Sequence, residues 1–211
     1  MKLLVLGATG LTGRHVVEVA LRSGDSVTAF VRSPAALGDL ADQVSVAAGD
    51  ATSRRDLAAA LPGHDAVISA LGAGSSLTSV RANDLFTLAS EAVIGAAREA
   101  SVSRLVWLSP FGVGHTYDWS SAPQKLIYRT LLRSLYANKE IADETVRSSG
   151  LDWTIVYPTR LTNDPAKGAF RADDRLPMKG NPTIGRADVA AFLHRAAQDG
   201  EWVHRSPVIT D

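Results

Sequence analysis

Short apolar runs alternate with longer stretches of helical periodicity along most of the chain. The apolar runs are Leu3–Leu6, Val27–Val31, Val44–Ala48, Ala66–Leu71, Leu105–Leu108 and Trp153–Tyr157. One helical stretch ends at Gly24, and others lie at 53–61, 84–100 and 124–149. Runs that are apolar on both faces and separated by helices predict a parallel sheet covered on both sides. Right-handed crossovers then give a doubly wound, mostly parallel α/β sheet with helices on both faces.

The pattern changes after the sixth run. Residues 158–183 are rich in Pro, Asp, Gly and Lys and predict an irregular segment with one short strand at 168–171. A last helix is predicted at 186–198, and Pro207–Thr210 is predicted as an edge strand, because proline is tolerated where a strand begins. We interpret 1–211 as a single domain in which 158–211 forms a small irregular C-terminal extension on the substrate side.

The composition limits the classes of protein to which this chain can belong. Hydrophobic residues make up 45% and charged residues 21%, as in a globular chain with a core. Lys and Arg number 22 and Asp and Glu number 22, which argues against a surface for nucleic acid or anionic membrane. No apolar run approaches the roughly 18 residues of a membrane helix. The apolar start breaks at Gly7, short of the core of a signal peptide, so we expect a cytoplasmic protein.

The residue types also limit the chemistry. The sequence contains no cysteine, which excludes disulfides, thiol catalysis and cysteine-ligated metal. Its five histidines are scattered, with no pair at a metal-binding spacing, so we expect no metal site. We expect a small-molecule partner and neither nucleic acid nor membrane, while the helices leave monomer and homodimer both open.

A glycine-rich loop follows the first apolar run and opens the first helix. The loop reads Gly7-Ala8-Thr9-Gly10-Leu11-Thr12-Gly13. Glycine permits a positive φ and lets backbone amides approach a pyrophosphate closely. The amides and the dipole of the helix N-terminus favour an anion. Because strand, glycine turn and helix occur in this order, the sequence predicts the dinucleotide site of a Rossmann fold.

The end of the second run indicates which dinucleotide is bound. An NAD site places Asp or Glu there to accept from the ribose 2′-hydroxyl. This chain has Arg32 and Ser33 instead, while Asp25 lies at the wrong end of that strand. Arginine offers a planar charged fork that suits a 2′-phosphate. We therefore predict NADP(H) as the cofactor, with Arg14 as a weaker second phosphate ligand and an ordinary surface arginine as the alternative for Arg32.

Further ligand contacts follow from the sheet, because a doubly wound sheet binds its ligand across the carboxyl ends of the strands. The residues at those ends are Asp50 and Ala51, Ala70, Leu71 and Gly72, Ser109, and Pro158 and Thr159. Asp50 suits the adenine amino group as an acceptor. A cap on the helix that starts near Ser53 is an equally good interpretation of Asp50.

Several of these strings together resemble a known family. They are the glycine loop, Val31-Arg32-Ser33-Pro34, Gly49-Asp50, Ser69-Ala70-Leu71-Gly72, Leu108-Ser109 and the stretch Ser149-Gly150-Leu151-Asp152-Trp153-Thr154-Ile155-Val156-Tyr157-Pro158. They resemble the atypical short-chain dehydrogenase/reductases. Within these, the chain is similar to the NAD(P)H-binding family of biliverdin reductase B, the NADPH-dependent flavin reductase, and to NmrA-like proteins.

The resemblance implies a role for each matching position. It implies that Gly7, Thr9, Gly10, Thr12 and Gly13 hold the pyrophosphate, that Arg32 and Ser33 hold the 2′-phosphate, and that Asp50 and Ala51 flank the adenine. It also implies that Leu71 and Gly72 line the nicotinamide ribose, with Ser109 and Pro158 beside the nicotinamide.

The family's catalytic motif is altered in this chain. Standard members carry Tyr-x-x-x-Lys, in which the tyrosine donates a proton, whereas this chain has Tyr136 and Lys139 at a spacing of three. Residues three apart still share a helix face, so a Ser109–Tyr136–Lys139 relay is one hypothesis. The alternatives are a Tyr136 ring packed on the tail, a solvated Lys139 paired with Asp143, and a Lys139 that binds the nicotinamide ribose.

These features predict an NADPH-dependent reductase that passes a hydride to a flavin, a quinone or a similar planar acceptor. Such acceptors take their proton from solvent, so the protein supplies orientation and the cofactor the chemistry. The alternatives are a non-catalytic NmrA-like NADP sensor and a short-chain enzyme acting on a carbonyl or sugar through Tyr136 and Lys139.

Overall fold

The computed structural model describes residues 1–72, 84–120, 125, 126, 128, 130, 132–176 and 180–211. An eight-stranded sheet forms its centre. Its strands are β1 (Lys2–Leu6), β2 (Ser26–Val31), β3 (Ser45–Ala48), β4 (Ala66–Ser69), β5 (Arg104–Leu108), β6 (Asp152–Pro158), β8 (Arg171–Asp173) and β10 (Val208–Thr210). Across the sheet they lie in the order β3-β2-β1-β4-β5-β6-β10-β8. Every neighbouring pair is parallel except β10 and β8. The predicted doubly wound, mostly parallel sheet is confirmed.

Helices cover both faces of this sheet. They are α1 (Leu11–Arg22), α2 (Arg54–Ala60), α3 (Leu85–Glu99), α4 (Arg133–Arg147) and α5 (Arg186–Gln198). Alternate residues of β1 point to opposite faces: Leu3 and Val5 lie in the core formed with α1 and α5, and Leu4 and Leu6 in the core formed with α2, α3 and α4. The part of the predicted 124–149 helix that precedes residue 132 lies partly outside the described residues.

The C-terminal part differs from its prediction in pairing. The strand expected at Pro207–Thr210 is not an edge strand, because β10 pairs with β6 on one side and with β8 on the other. The edge is β8, found at Arg171–Asp173 where a strand at 168–171 was expected. Two further strands, β7 (Arg160–Thr162) and β9 (Thr183–Gly185), form a small parallel sheet that sequence periodicity did not indicate.

Two 3₁₀ segments follow strands of the sheet, Pro34–Gln43 after β2 and Gly114–Trp119 after β5. Among the described residues, no helix is long and apolar enough to cross a membrane. Nor do the described residues bring together three or more His, Asp or Glu side chains in a group that could hold a metal ion.

Candidate functional site

The glycine loop folds so tightly that two of its glycines admit no side chain. Gly7 has a φ of +78°, and a Cβ there would lie 2.6 Å from the carbonyl oxygen of Ala70. A Cβ on Gly13 would lie 2.0 Å from the carbonyl oxygen of Gly7. The loop is therefore held against the carboxyl end of β4, and α1 lies close against the loop.

The first turn of α1 is left without a side-chain cap. Gly10 is the N-cap residue, and within the described residues no side chain accepts from the first amides of this helix. Leu11, in the first turn, is 64% exposed, whereas Thr12 is buried. Unpaired amides at a helix N-terminus bind anions. The cradle of Gly7, Gly10 and Gly13 therefore fits the pyrophosphate of a dinucleotide.

Arg32 and Asp50 lie at the carboxyl ends of neighbouring strands, β2 and β3. Arg32 and Ser33 are both exposed. Two bonds from Thr52, donated by its amide and its hydroxyl at 2.9 Å each, lower the pKa of Asp50, and the charge of Arg32 adds to this effect. The guanidinium of Arg32 and the carboxylate of Asp50 thus lie within electrostatic range of each other.

The alternative roles of two residues in this region are decided by their partners. The cap of α2 is Ser53, whose hydroxyl accepts from the amide of Asp56 at 3.2 Å, so the interpretation of Asp50 as the helix cap is wrong. Arg14 donates to the carbonyl of Leu37 at 3.0 Å and pairs with Asp39. These bonds occupy the guanidinium of Arg14.

The ammonium of Lys139 lies at the carboxyl ends of β4 and β5. Its Nζ donates to the carbonyl oxygen of Leu108 at 3.1 Å and reaches that of Leu71 at 3.5 Å. Lys139 is 4% exposed, so the interpretation as a solvated lysine is wrong. Since Leu71 adjoins the Ala70 carbonyl against which Gly7 packs, the lysine and the glycine loop border one crevice.

Ser109 lies just beyond β5, and its side chain points to α4. Its hydroxyl donates to Oδ2 of Asp143 at 2.8 Å, and the hydroxyl of Tyr157 donates to the same oxygen at 2.8 Å. Arg147 donates to the oxygen of Tyr157 at 2.6 Å. Ser109 and Asp143 are both buried. A buried polar network therefore runs from the end of β5 along α4.

Tyr136 does not join this network. Its hydroxyl donates to the carbonyl of Phe111 at 3.3 Å, and its ring stacks on Tyr128 with the ring centres 4.6 Å apart. Burial raises the pKa of Tyr136, and the neighbouring Tyr128 adds to the rise. The ring of Tyr136 therefore packs on another aromatic ring.

The remaining predicted residues lie at the same edge of the sheet, with different accessibility. Ala51, Ala70, Pro158 and Thr159 are buried, Gly72 and Thr9 are exposed, and Leu71 is intermediate. The hydroxyl of Thr159 bonds with that of Thr210 at 3.0 Å, so this side chain points into the sheet toward β10.

Asp143, Tyr157 and Arg147 were missed as members of the site by sequence reasoning. A signal was present, since the buried residues of α4 are Asn138, Lys139, Ala142, Asp143 and Val146, and two of these five are charged. Charged residues on the buried face of a helix are uncommon unless they are paired.

A doubly wound sheet whose glycine loop, helix N-terminus and buried lysine border one crevice defines a dinucleotide-binding protein of the Rossmann type. Comparison with known proteins agrees. Residues 7–200 match the model of a family described as NAD(P)H-binding. The chain belongs to this NAD(P)H-binding family, and it is an oxidoreductase, as the sequence predicts.

Individual relatives cover nearly the whole chain. It is 31% identical to YhfK of Bacillus subtilis, named an uncharacterized sugar epimerase, across 100% of this chain and 94% of that protein. ChuY of Escherichia coli O157:H7, titled an anaerobillin reductase, is 27% identical with a TM-score of 0.82, covering 99% of this chain and 96% of its own. The oxidoreductase ylbE of Lactococcus lactis shares the fold. It is 22% identical with a TM-score of 0.81, and the match covers 99% of this chain and 90% of that chain.

Proposed function

We propose that this chain is an NADPH-dependent reductase that passes a hydride to a flavin, a quinone or a similar planar acceptor. The observation that carries the proposal is the position of Lys139, whose buried ammonium faces the strand ends beside the glycine loop. An ammonium there suits the hydroxyls of the nicotinamide ribose. When bound, the reduced nicotinamide supplies the hydride.

The choice of NADPH rests on Arg32. Its side chain is exposed at the end of β2, where the ribose of the adenine half lies in this fold. Arg14, the other basic candidate, is engaged with Leu37 and Asp39. Arg32 is therefore the group that we assign to the 2′-phosphate, with Ser33 beside it.

The choice of acceptor rests on where the proton donors point. The hydroxyl of Tyr136 is bonded to the Phe111 carbonyl, and that of Ser109 to Asp143. A carbonyl substrate needs a proton at the moment of hydride transfer, whereas a conjugated planar acceptor takes its proton from solvent. The reductase ChuY, 27% identical, supports the same kind of activity.

The name of YhfK favours a second candidate, an enzyme that epimerises or oxidises a sugar. Such chemistry requires a base that removes the proton of a hydroxyl, and Tyr136 is the residue at hand. Its bond to the Phe111 carbonyl and the burial that raises its pKa both oppose that role.

The test is NADPH oxidation followed by absorbance with flavins, quinones, an anaerobillin, simple carbonyls and sugar nucleotides, with NADH in parallel. Lys139→Met is the test variant, because it keeps the length of the side chain and removes its charge. We expect the unmodified protein to oxidise NADPH with a planar acceptor, and we expect Lys139→Met to lose most of this activity. Turnover with a sugar or carbonyl only, or tight NADPH binding without turnover, would overturn the proposal in favour of the second candidate or of an NADP sensor.

A further inference from the structure

Among the described residues, no carboxylate lies at contact distance from the ammonium of Lys139. Its Nζ meets the carbonyl oxygens of Leu108 and Leu71 and lies 3.7 Å from the centre of the Phe86 ring. Carbonyl dipoles and aromatic faces stabilise a cation only partly. Burial accordingly lowers the pKa of Lys139 to about 8. An ammonium in this position requires a further source of stabilisation.

Asp143 lies one helical turn further along α4 and on the same buried face of the helix. It is 0% exposed, and its charge raises the pKa of Lys139 against the effect of burial. In the described part of the chain, the ammonium of Lys139 and the carboxylate of Asp143 do not form an ion pair within 4.0 Å. Their interaction therefore acts through space inside a buried environment, where charges are screened less than in water.

The partners of Asp143 favour its ionised form. Ser109 and Tyr157 both donate to Oδ2, and hydrogen bonds to a carboxylate stabilise its charge. On balance the pKa of Asp143 is raised, because burial raises it and the charges of Lys139 and Arg147 and these two hydroxyls offset that rise only in part. Its other oxygen, Oδ1, is buried and has no partner among the described residues.

Two other titratable groups near Asp143, Arg147 and His115, both contact Tyr157. Arg147, on the same helix, donates to the oxygen of Tyr157, and His115 meets the Tyr157 ring edge-on with the ring centres 5.4 Å apart. Burial and the charge of Arg147 lower the pKa of His115.

The charged groups of α3, which packs against α4, are engaged elsewhere or face outward. Arg98 donates to the carbonyl of Ser149, Glu99 pairs with Arg54, and Glu91 is exposed. Among the described residues, Asp143 is therefore the carboxylate whose charge acts on Lys139.

We propose that Asp143 is the counter-ion of Lys139, a positioning residue that keeps the lysine protonated at the nicotinamide-ribose site. Asp143 touches neither cofactor nor acceptor in this assignment, and it acts through the lysine. The network of Ser109 and Tyr157 holds the carboxylate in place. The counter-ion role of Asp143 depends on the proposed function in one respect, which is the assignment of Lys139 to the cofactor.

The test is a direct titration of Lys139 by NMR of the protein labelled at the lysine side chains, of which the chain has five. Lys139→Met assigns the signal. Asp143→Asn keeps the shape and an acceptor oxygen but removes the charge. We expect the midpoint of Lys139 to fall by about one pH unit or more, because an opposite charge at close range shifts a pKa by about 1–3 units. An unchanged midpoint in Asp143→Asn would overturn the proposal.

NADPH binding supplies the second measurement, as the ratio of the dissociation constants of Asp143→Asn and the unmodified protein at each pH. The 2′-phosphate of NADPH titrates equally in both measurements, so its effect cancels in this ratio. We expect a ratio near one at pH 6 and a ratio of about 10 at pH 8, the loss of one charged hydrogen bond. In the Lys139→Met background the same substitution should have no effect. A ratio that is the same at both pH values would mean that Asp143 acts on binding by packing alone.

Two outcomes separate this proposal from the proposed function. If Lys139→Met binds NADPH as tightly as the unmodified protein, the cofactor role of the lysine fails, while the NMR titration still decides the counter-ion role. If Asp143→Asn does not fold, the double variant Lys139→Met/Asp143→Asn decides. A folded double variant supports the proposal, because removing the ammonium removes the need for its counter-charge. A double variant that also fails to fold overturns it.

Discussion

The hydroxyl of Tyr136 donates to the carbonyl oxygen of Phe111 at 3.3 Å, and no hydrogen bond joins it to Lys139 in the described structure. A tyrosine and a lysine three positions apart share a helix face, yet here their polar ends have different partners. The tyrosine is bonded beside the start of the 3₁₀ segment, while the lysine reaches the strand ends. The structure thus separates two side chains that the sequence allows to converge.

Tyr136→Phe should therefore retain most of the reductase activity. A well-placed general acid contributes about 10²–10⁴-fold, so the loss of a true donor is unmistakable. The substitution removes the neutral hydrogen bonding of the Tyr136 hydroxyl with the Phe111 carbonyl and with Tyr128, and it should cost about 1 kcal/mol of folding stability. Steady-state rates with the best acceptor and thermal unfolding measure the two effects. A loss of about 100-fold or more at unchanged NADPH affinity would make Tyr136 the acid.

Gly10→Asp should abolish cofactor binding in a folded protein. Gly10 is the N-cap of α1 with a φ of −79°, a conformation that aspartate adopts readily at this position. Its Cβ would lie 3.2 Å from the Gly7 carbonyl oxygen, which requires only a small adjustment. The carboxylate would then occupy the anion site of the helix. Calorimetric titration with NADPH, alongside circular dichroism, measures binding and folding.

Gly10→Asn is the matched control, because it adds a side chain of the same shape without the charge. We expect its affinity to lie between those of the unmodified protein and Gly10→Asp. Unchanged affinity in a folded Gly10→Asp variant would contradict the assignment of this loop to the pyrophosphate.

Arg32→Ala should lose affinity for NADPH and change little for NADH. One charged hydrogen bond is worth about 1.5–3 kcal/mol, which corresponds to about 10–150-fold in affinity. Arg14→Ala is the control, since Arg14 is engaged with Leu37 and Asp39 and should not discriminate between the cofactors. Equal losses for both cofactors in Arg32→Ala would show that the residue does not bind the phosphate.

Asp25 should stabilise the protein at neutral pH, and this stabilisation should be lost in acid. Its carboxylate accepts from Nε2 of His194 at 2.5 Å and from the Met1 ammonium at 2.5 Å, which joins the start of β2 to α5. Burial alone would raise the pKa of Asp25, but the bonds and charges of the Met1 ammonium and His194 outweigh it and lower the pKa. A carboxyl whose pKa is lowered by folding stabilises the protein above its unfolded pKa. That stabilisation is lost as the pH falls through the native value.

Asp25→Asn should cost about 2 kcal/mol at pH 7 and flatten the acid side of the stability profile. Urea unfolding between pH 3 and 7 measures both effects, and Asp65→Asn is a control carboxylate whose bond to the amide of Lys2 is exposed. An acid side as steep in Asp25→Asn as in the unmodified protein would contradict the assignment.

Part of the site was predictable because its determinants are local. The glycine loop requires a strand, a turn and a helix start within thirteen residues, and the positive φ of Gly7 follows from that turn. The exposure of Arg32 at the end of β2 also follows from its place after an apolar run. The roles of Arg32, Ser33 and Asp50 toward a cofactor remain predictions.

The sequence by itself determined the doubly wound sheet, since alternation of apolar runs and helices depends on neighbouring residues only. Tertiary structure decided which strands pair, and so β10 lies inside the sheet and not at its edge. It also decided the surroundings of Lys139. The spacing of Lys139 and Asp143 is visible in the sequence, but the surroundings of Asp143 depend on Ser109 and Tyr157, which lie on other parts of the chain and meet Asp143 only after the sheet and α4 have packed. Burial changes the free energy of a charge far more than sequence neighbours do, and burial is a property of the whole fold.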